Sequence, residues 1–422
     1  MSSADHEARP AAEVAVGRRG LLRSGAAAFG GAGVGWTAAT LVTPGHAVPA
    51  GPTVAPEGAA AAPAGGQVIP FRGARQAGVD TEPAQARLSL LGLDLRPSVD
   101  AEALTRLLRL LTDDAARLTQ GEPALADTDP ELAQQPSRLT VTLGFGPRVI
   151  DRFGRPGVRL RPLPGFRTDR LEEAWGQTDL AVQLCCDDPI TLAHARRMIL
   201  KDAEAFTSLR WIQDGFRNAR GTVEPGVTQR NLMGQIDGTG NPVPSDADFE
   251  QVLWDGDGGT TMVVRRIRML LDKWDKVSRE GKEVVVGRRL DTGAPLTGDQ
   301  EHDVPDLSAT DEYGLPVIDP ASHVARARAD GTERILRRPY NYAVPDPSRP
   351  SGEDAGLVFL AFARDVERQF VPIQRRLAEL DRLNEWVTTI GSAVYAVPPG
   401  IPETPAGGTP YLGETILRKE QA

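Results

Sequence analysis

Apolar and polar residues alternate along the chain in two distinct rhythms. Arg87-Leu-Ser-Leu-Leu-Gly-Leu-Asp-Leu95 is a nearly continuous apolar run and predicts a buried strand. After Asp100, a capping residue, leucines at 104, 107, 108, 111 and 118 recur at helical spacing. Arg138 to Phe145 alternates as a strand does, and Asp179 to Cys186 reads as another. Pro189 then opens a helix reaching about Phe206, because proline suits a first helical turn. A further strand follows near Ser208–Asp214. Strand, helix, strand, strand, helix, strand is the order of a ferredoxin-like unit.

The second half repeats the logic without a residue-level repeat. Gly259 to Leu271 reads as a strand running into a helical start that Glu283-Val-Val-Val286 extends. Gly356 to Ala363 is a strongly apolar strand. Val366 to Val387 reads as a helix that Pro372 bends or breaks. Between them, Asp291 to Asp354 is strand-poor and rich in Gly, Pro and charge, and a loop of that length is usually functional or disordered. The expected fold class is α+β: two ferredoxin-like domains packed sheet to sheet or sheet to helix.

Composition adds an N-terminal preface to this body. Gly17-Arg18-Arg19-Gly20 precedes an uncharged, Gly/Ala-rich segment from Ser24 to Thr43, and Gly45-His46-Ala47 offers small residues for cleavage. This predicts a twin-arginine export signal over residues 1–47, with an uncleaved membrane anchor as the alternative. Residues 48–66 are rich in Pro, Ala and Gly and read as a disordered linker. The expected domains are then 67–225 and 226–415, with a tail over 416–422. Of the 422 residues, 40% are hydrophobic and 25% charged, as in a soluble globular protein. The net charge is -9, which argues against nucleic acid as the main partner. The two cysteines, Cys185 and Cys186, are adjacent, so neither a disulfide framework nor a CxxC-type metal site is available, and both read as buried apolar residues.

The chemistry concentrates in Asn231-Leu-Met-Gly234-Gln-Ile-Asp237-Gly238-Thr239-Gly-Asn241. A lone carboxylate between glycines reads either as a turn tip or as an acid held where main chain can approach a flat ligand. Of the five histidines, His6 and His46 lie in the export segment, His194 sits in a predicted helix, and His302 lies in an acidic turn beside Glu301. His323 follows an apolar pair in the long loop and is the best placed to meet a buried ligand. Fourteen residues on, Arg337 and Arg338 lead into Tyr340 and Tyr342; the alternatives are a basic surface strand or a guanidinium over developing negative charge.

Gly234-Gln-Ile-Asp237-Gly238 matches the GxxDG signature of dye-decolorising (DyP-type) haem peroxidases. Ser322-His323-Val324 and Ile335-Leu-Arg337-Arg338 resemble that family's proximal-histidine and distal-arginine segments, in the same order. The resemblance continues at 73–78, 138–146, 259–269, 356–362 and 391–400, so it covers roughly residues 67 to 415. Arg75 stands where the family often has His, and Arg326-Ala-Arg-Ala-Asp330 replaces a common Asn-Pro-Arg run.

The resemblance implies a fold of two ferredoxin-like domains in a dimeric α+β barrel-like arrangement, with haem b, one per chain, bound mainly in the C-terminal half. It implies His323 as iron ligand, and Asp237 and Arg337 as the catalytic pair, with Arg338 replacing Arg337 if the register differs by one. It also implies Gly234, Gly238, Thr239, Arg326, Leu360 and Phe362 around the cofactor. Hydrogen peroxide and organic electron donors would be the substrates, the twin-arginine machinery a transport partner, and a homo-oligomer is admitted. Tyr340, Tyr342, Trp386 and Tyr395 are chemically able to pass electrons to bulky donors at the surface. An exported place of work follows: extracellular, periplasmic or envelope-associated. The competing function is release of iron from haem, as proposed for some exported relatives.

Overall fold

The computed structural model describes residues 64–224, 226–403 and 410–417. The export signal and most of the expected linker lie outside them. In the first half, β1 (Arg87–Leu95), α1 (Ala101–Thr119), β2 (Thr140–Phe145), α2 (Pro147–Phe153), β3 (Leu180–Cys186), α3 (Pro189–Ala203) and β4 (Thr207–Phe216) follow in order. The second half contains α4 (Phe249–Leu253), β5 (Thr260–Met269), α5 (Leu271–Trp274), α6 (Arg279–Val286) and α7 (His323–Arg328). It continues through β6 (Leu336–Arg337), β7 (Tyr340–Pro345), β8 (Glu353–Ala363), α8 (Phe370–Leu380) and β9 (Val387–Val397).

Local chemistry sets the helix starts. The Asp100 carboxylate accepts from Ala103 N at 2.8 Å, and Asp188 accepts from Thr191 N at 2.8 Å. Each satisfies an amide that the first helical turn leaves unpaired. Pro372 does not break α8, because it falls in the first turn, where its missing N–H costs nothing. The helix expected to reach Val387 stops at Leu380, a short 3-10 turn (Arg382–Glu385) follows, and β9 begins. The stretch expected to be strand-poor contains α7, β6 and β7. These elements are short and interrupted by proline and charge, so their periodicity is weak.

Strand pairing runs β2-β3-β1-β4 in the first half, the arrangement of a ferredoxin-like sheet. The second half repeats it as β7-β8-β5-β9. Edge strands then join across the halves, Phe145 opposite Ala396 and Phe216 opposite Asn341. The eight long strands thereby close into an antiparallel barrel, which leaves no long free edge.

Closure explains why β1 reads as continuously apolar. Leu88 and Leu90 face an interior cluster with Met262, Tyr340, Leu360, Phe362 and Tyr395. Leu91 and Leu93 face outward into a second core against α1 and α3. A third cluster packs α8, through Phe370 and Val371, against Val263, Ala361 and Ala363. Cys185 and Cys186 are both buried and free. Tyr340, Tyr342 and Tyr395 are at most 1% exposed and fill the barrel, so none of them presents its ring to a donor at the surface. Trp386 is half-buried, edge-on to Trp274 with ring centroids 5.3 Å apart.

The outer boundaries also shift. Gly65, within the expected linker, accepts from Ser137 N at 2.8 Å. Ile416 and Leu417, within the expected tail, are buried in the first core.

One buried acid in the first half has a measurable consequence. Asp202 on α3 lies against Asp114 on α1, and burial together with that neighbour pushes its carboxyl up to about 7, with Asp113 adding to the rise and Lys201 opposing it. Its Oδ2 is buried without a partner, which a proton would relieve. An unfolded aspartate titrates near ~3.9. The folded chain therefore holds a proton that the unfolded chain has lost between about pH 4 and 7. The group's contribution is complete below that window and is lost as pH rises through about 7. Asp202→Asn should raise the melting temperature at pH 8, by the equivalent of ~1 kcal/mol after allowance for solvent screening. The gain should vanish near pH 4; a gain of equal size at both pH values would refute the linkage.

Candidate active site

The glycine-flanked acid sits in a braced turn. Asn231 Oδ1 accepts from the amides of Met233 at 3.0 Å and Gln235 at 3.3 Å, and its Nδ2 donates to Asp237 Oδ2 at 3.3 Å. Gly234 has φ +81° and Gly238 φ +147°, angles that side chains resist. A Cβ at Gly234 would meet no atom within 4 Å, so main chain there borders open space. The Asp237 amide donates to Gln229 O at 2.8 Å, which turns the carboxylate inward; the residue is 8% exposed.

Arg337 meets that carboxylate from β6. Its Nη1 donates to Asp237 Oδ1 at 2.9 Å. Asn241 holds the arginine backbone as a neighbouring strand would: Nδ2 donates to Arg337 O at 2.6 Å, and Oδ1 accepts from Arg337 N at 3.0 Å. Strand alternation sends Arg338 the other way. Its guanidinium is buried and donates to Thr81 O and Gln85 Oε1, so of the two register options the structure selects Arg337 for the Asp237 side.

The same register overturns one expectation. Arg337 is paired with Ala361, and Leu336 with Phe362. Directly opposed residues share a face, so Phe359 and Leu357 lie on the Arg337 face, whereas Leu360 and Phe362 point into the barrel. Leu360 and Phe362 are both fully buried there. Phe359 stays half-open and packs into both outer clusters of this half.

His323 opens α7, with Ser322 as its capping residue. Its Nδ1 is 2.6 Å from Asp381 Oδ2. Asp381 is itself fixed by Leu383 N, which donates to Oδ1 at 2.9 Å. Burial depresses the imidazole's proton affinity, but Asp381 more than offsets it by charge and hydrogen bond, so the His323 pKa is raised. Arg337 and Asp237 are both close enough to bias that proton, in opposite directions. The side chain is 36% open to solvent-sized contact, yet burial leads among its influences. A ring in that position lines a recess rather than the outer surface. With Nδ1 tied to Asp381, Nε2 is the nitrogen left to bind a metal.

Arg288, Arg328 and Arg337 lie within electrostatic reach of one another here, with Glu301 acting on Arg288 and Asp237 paired with Arg337. Burial, with the like charges of Arg337 and Arg328, pushes the Arg288 guanidinium below its usual value, against the pull of Glu301. Arginines crowded without full neutralisation suit carboxylate groups on a ligand. A free imidazole nitrogen and the open main chain at Gly234 together fit an iron porphyrin.

Of two further expected cofactor neighbours, Thr239 is held from within the protein and Arg326 is corrected. The Thr239 hydroxyl is committed to Glu301 Oε1 at 2.9 Å. Arg326 donates through Nε to Arg376 O at 3.2 Å and through Nη2 to Glu379 at 3.3 Å, so it clamps α7 to α8 instead of facing the recess. His194, in the helix expected for it, is buried and 2.8 Å from Asp127. Sequence reasoning missed Asp381, Asn241, Arg288 and Glu301. Asn241 stood in the quoted motif, and its amide was the available signal. Asp381 lies 58 positions from His323 with no local mark.

Comparison with known proteins identifies the family. The N-terminal profile of the Dyp-type peroxidases matches residues 76–217, and the C-terminal profile residues 228–402. The chain is 37% identical to a dye-decolorizing peroxidase of Thermobifida fusca (strain YX), over 95% of this chain and 97% of that one. It is 33% identical to a deferrochelatase of Escherichia coli (strain K12), covering 83% and 87%. The crystal structure of a DyP-type peroxidase from Cellulomonas bogoriensis superposes with a TM-score of 0.78 at 47% identity, covering 84% of this chain and 99% of the other. With both halves of the family matched, and an acid, an arginine and an imidazole converging on one recess, the chain belongs to the DyP-type peroxidases, a family of haem enzymes.

Proposed function

We propose that the chain reduces hydrogen peroxide at one haem b held by His323, drawing electrons singly from dyes, phenols or similar organic donors. The contact of Asp237 with Arg337 beside a carboxylate-backed histidine carries this reading. Haem, when bound, supplies the redox centre at which the peroxide O–O bond is cleaved. His323 would hold the iron through Nε2, and Asp381 would make that imidazole a stronger donor. Asp237 takes the proton from the inner peroxide oxygen and returns it to the outer one, so that water leaves instead of hydroxide. Arg337 keeps the carboxylate placed and offsets the negative charge that builds as the bond breaks.

The twin-arginine pattern at Arg18 and Arg19 supports export, and hence work outside the cytoplasm. The test is an absorption spectrum of protein purified with haem available, followed by peroxide and a dye. A strong Soret band and dye bleaching that requires peroxide are expected. A folded protein with no Soret band would sink the proposal.

Iron release from haem is the second reading, favoured by the identity to deferrochelatases. It uses the same recess, and recovery of iron-free porphyrin without peroxide would select it.

A further inference from the structure

Thr228 and Thr239 bracket Asp237 in sequence and converge on one atom. Thr228 Oγ1 donates to Glu301 Oε1 at 2.7 Å, and Thr239 Oγ1 donates to the same oxygen at 2.9 Å. The methyl group of Thr228 also packs on the turn: a Cβ at Gly238 would stand 3.0 Å from Thr228 Cγ2. Glu301 therefore pins both shoulders of the acid-bearing turn through its side chain.

Its own backbone is held in turn. Arg288 Nη1 donates to Glu301 O at 2.8 Å and to Gly293 O at 2.7 Å. Ile236, next to Asp237, packs so closely on Gly293 that a Cβ there would sit 2.8 Å from Ile236 Cδ1. At the other end of the turn, Arg230 Nη2 donates to Asp291 O at 2.7 Å. The segment 288–303 is thus a second rail along which the turn 228–241 is fastened. Glu301 is the side chain that fastens the end nearest the acid. The glutamate is only 21% exposed, although its neighbour His302 is 73% exposed, so it is turned away from solvent within an otherwise open acidic loop.

We infer that Glu301 is a positioning residue for Asp237. The two threonine hydroxyls hold the turn in one register, and the carboxylate meets Arg337 and the peroxide only in that register. A short glycine-flanked turn has little rigidity of its own, because glycine leaves the unfastened backbone many conformations. Misplacing a reacting group by about 1 Å costs about 100-fold in rate, so a fastening contact can matter without touching substrate. This inference rests on the acid–base role of Asp237 proposed above.

The experiment compares Glu301→Ala, Glu301→Gln and the double variant Thr228→Val/Thr239→Val, each as full-length haem-loaded protein. Amide hydrogen exchange over residues 229–241 is read alongside the rate with hydrogen peroxide. Glu301→Ala should raise exchange in that segment at least about 10-fold and slow the peroxide reaction about 10–100-fold, up to the cost of misplacing a reacting group by about 1 Å. Glu301→Gln should stay within about 3-fold of wild type, because an amide oxygen can still accept both hydroxyls. The double threonine variant should reproduce the alanine result with Glu301 intact, which keeps the test informative if Glu301→Ala misfolds. Unchanged exchange in both Glu301→Ala and the double variant overturns the inference. Raised exchange with an unchanged peroxide rate overturns the positioning role when Asp237→Asn is slow; when Asp237→Asn is equally fast, the role given to Asp237 is what has failed.

Discussion

Replacing His323 with alanine is expected to abolish the Soret band while leaving a folded protein. The imidazole starts a short helix, and its polar partner among the described residues is Asp381, which keeps its second contact to the Leu383 amide. The barrel, its interior cluster and the α8 packing do not depend on the ring. Haem affinity does, because Nε2 is the metal-binding atom that this recess offers. The loss should exceed the ~10–100-fold typical of removing an outer partner of a metal ligand. Asp381→Asn supplies the comparison. It preserves the shape and one hydrogen bond but removes the charge that raises the His323 proton affinity. Haem should still bind, with affinity or activity lower by ~10–100-fold. Titration of the purified apoproteins with haem checks both, with thermal unfolding as the control for folding. Undiminished haem binding in His323→Ala would remove the proximal assignment altogether.

The second large effect is expected at Asp237. Asp237→Asn keeps the size of the side chain and a hydrogen-bonding oxygen toward Arg337, yet it cannot accept the peroxide proton. The rate with peroxide should fall by ~10²–10⁴-fold, the usual cost of losing a placed acid or base. Arg337→Leu removes a donor aimed at developing charge and should cost ~10²–10³-fold. The two groups touch at 2.9 Å, so the double variant should lose much less than the product of the single losses. Haem content should remain near wild type in all three, since neither residue contacts His323 or Asp381 directly. Stopped-flow traces of the haem band after mixing with peroxide measure each rate. Wild-type rates in both single variants would leave the pair without a role in the chemistry.

The arginine comparison shows where reading residues in order stops working. Arg337 and Arg338 are chemically identical, and both lie beside Ile335 and Leu336. Which of them meets Asp237 depends on the pairing of β6 with β8, which places Arg337 opposite Ala361. A shift of one residue would exchange the two faces. The misassignment of Leu360 and Phe362 has the same origin. Gly356 to Ala363 is apolar at every position, because the barrel interior covers one face and α8 with its loops covers the other. Such a run says that a strand is buried, but not which side meets a ligand.

What the sequence determined alone was local. It included the helix starts at Asp100 and Asp188, the buried strands, and the pattern of elements in two similar halves. The glycine-flanked acid and the histidine and arginine that accompany it in order were also legible there. These follow from short-range sterics, capping and side-chain period, which a few neighbouring residues encode. Tertiary structure alone decided the rest: the joining of β2 to β9 and of β4 to β7, the face on which each β8 side chain stands, and the partners Asp381 and Glu301. Each of these brings together residues separated by tens to hundreds of positions. Such partners are selected by the packing of whole sheets and loops, which no single segment records.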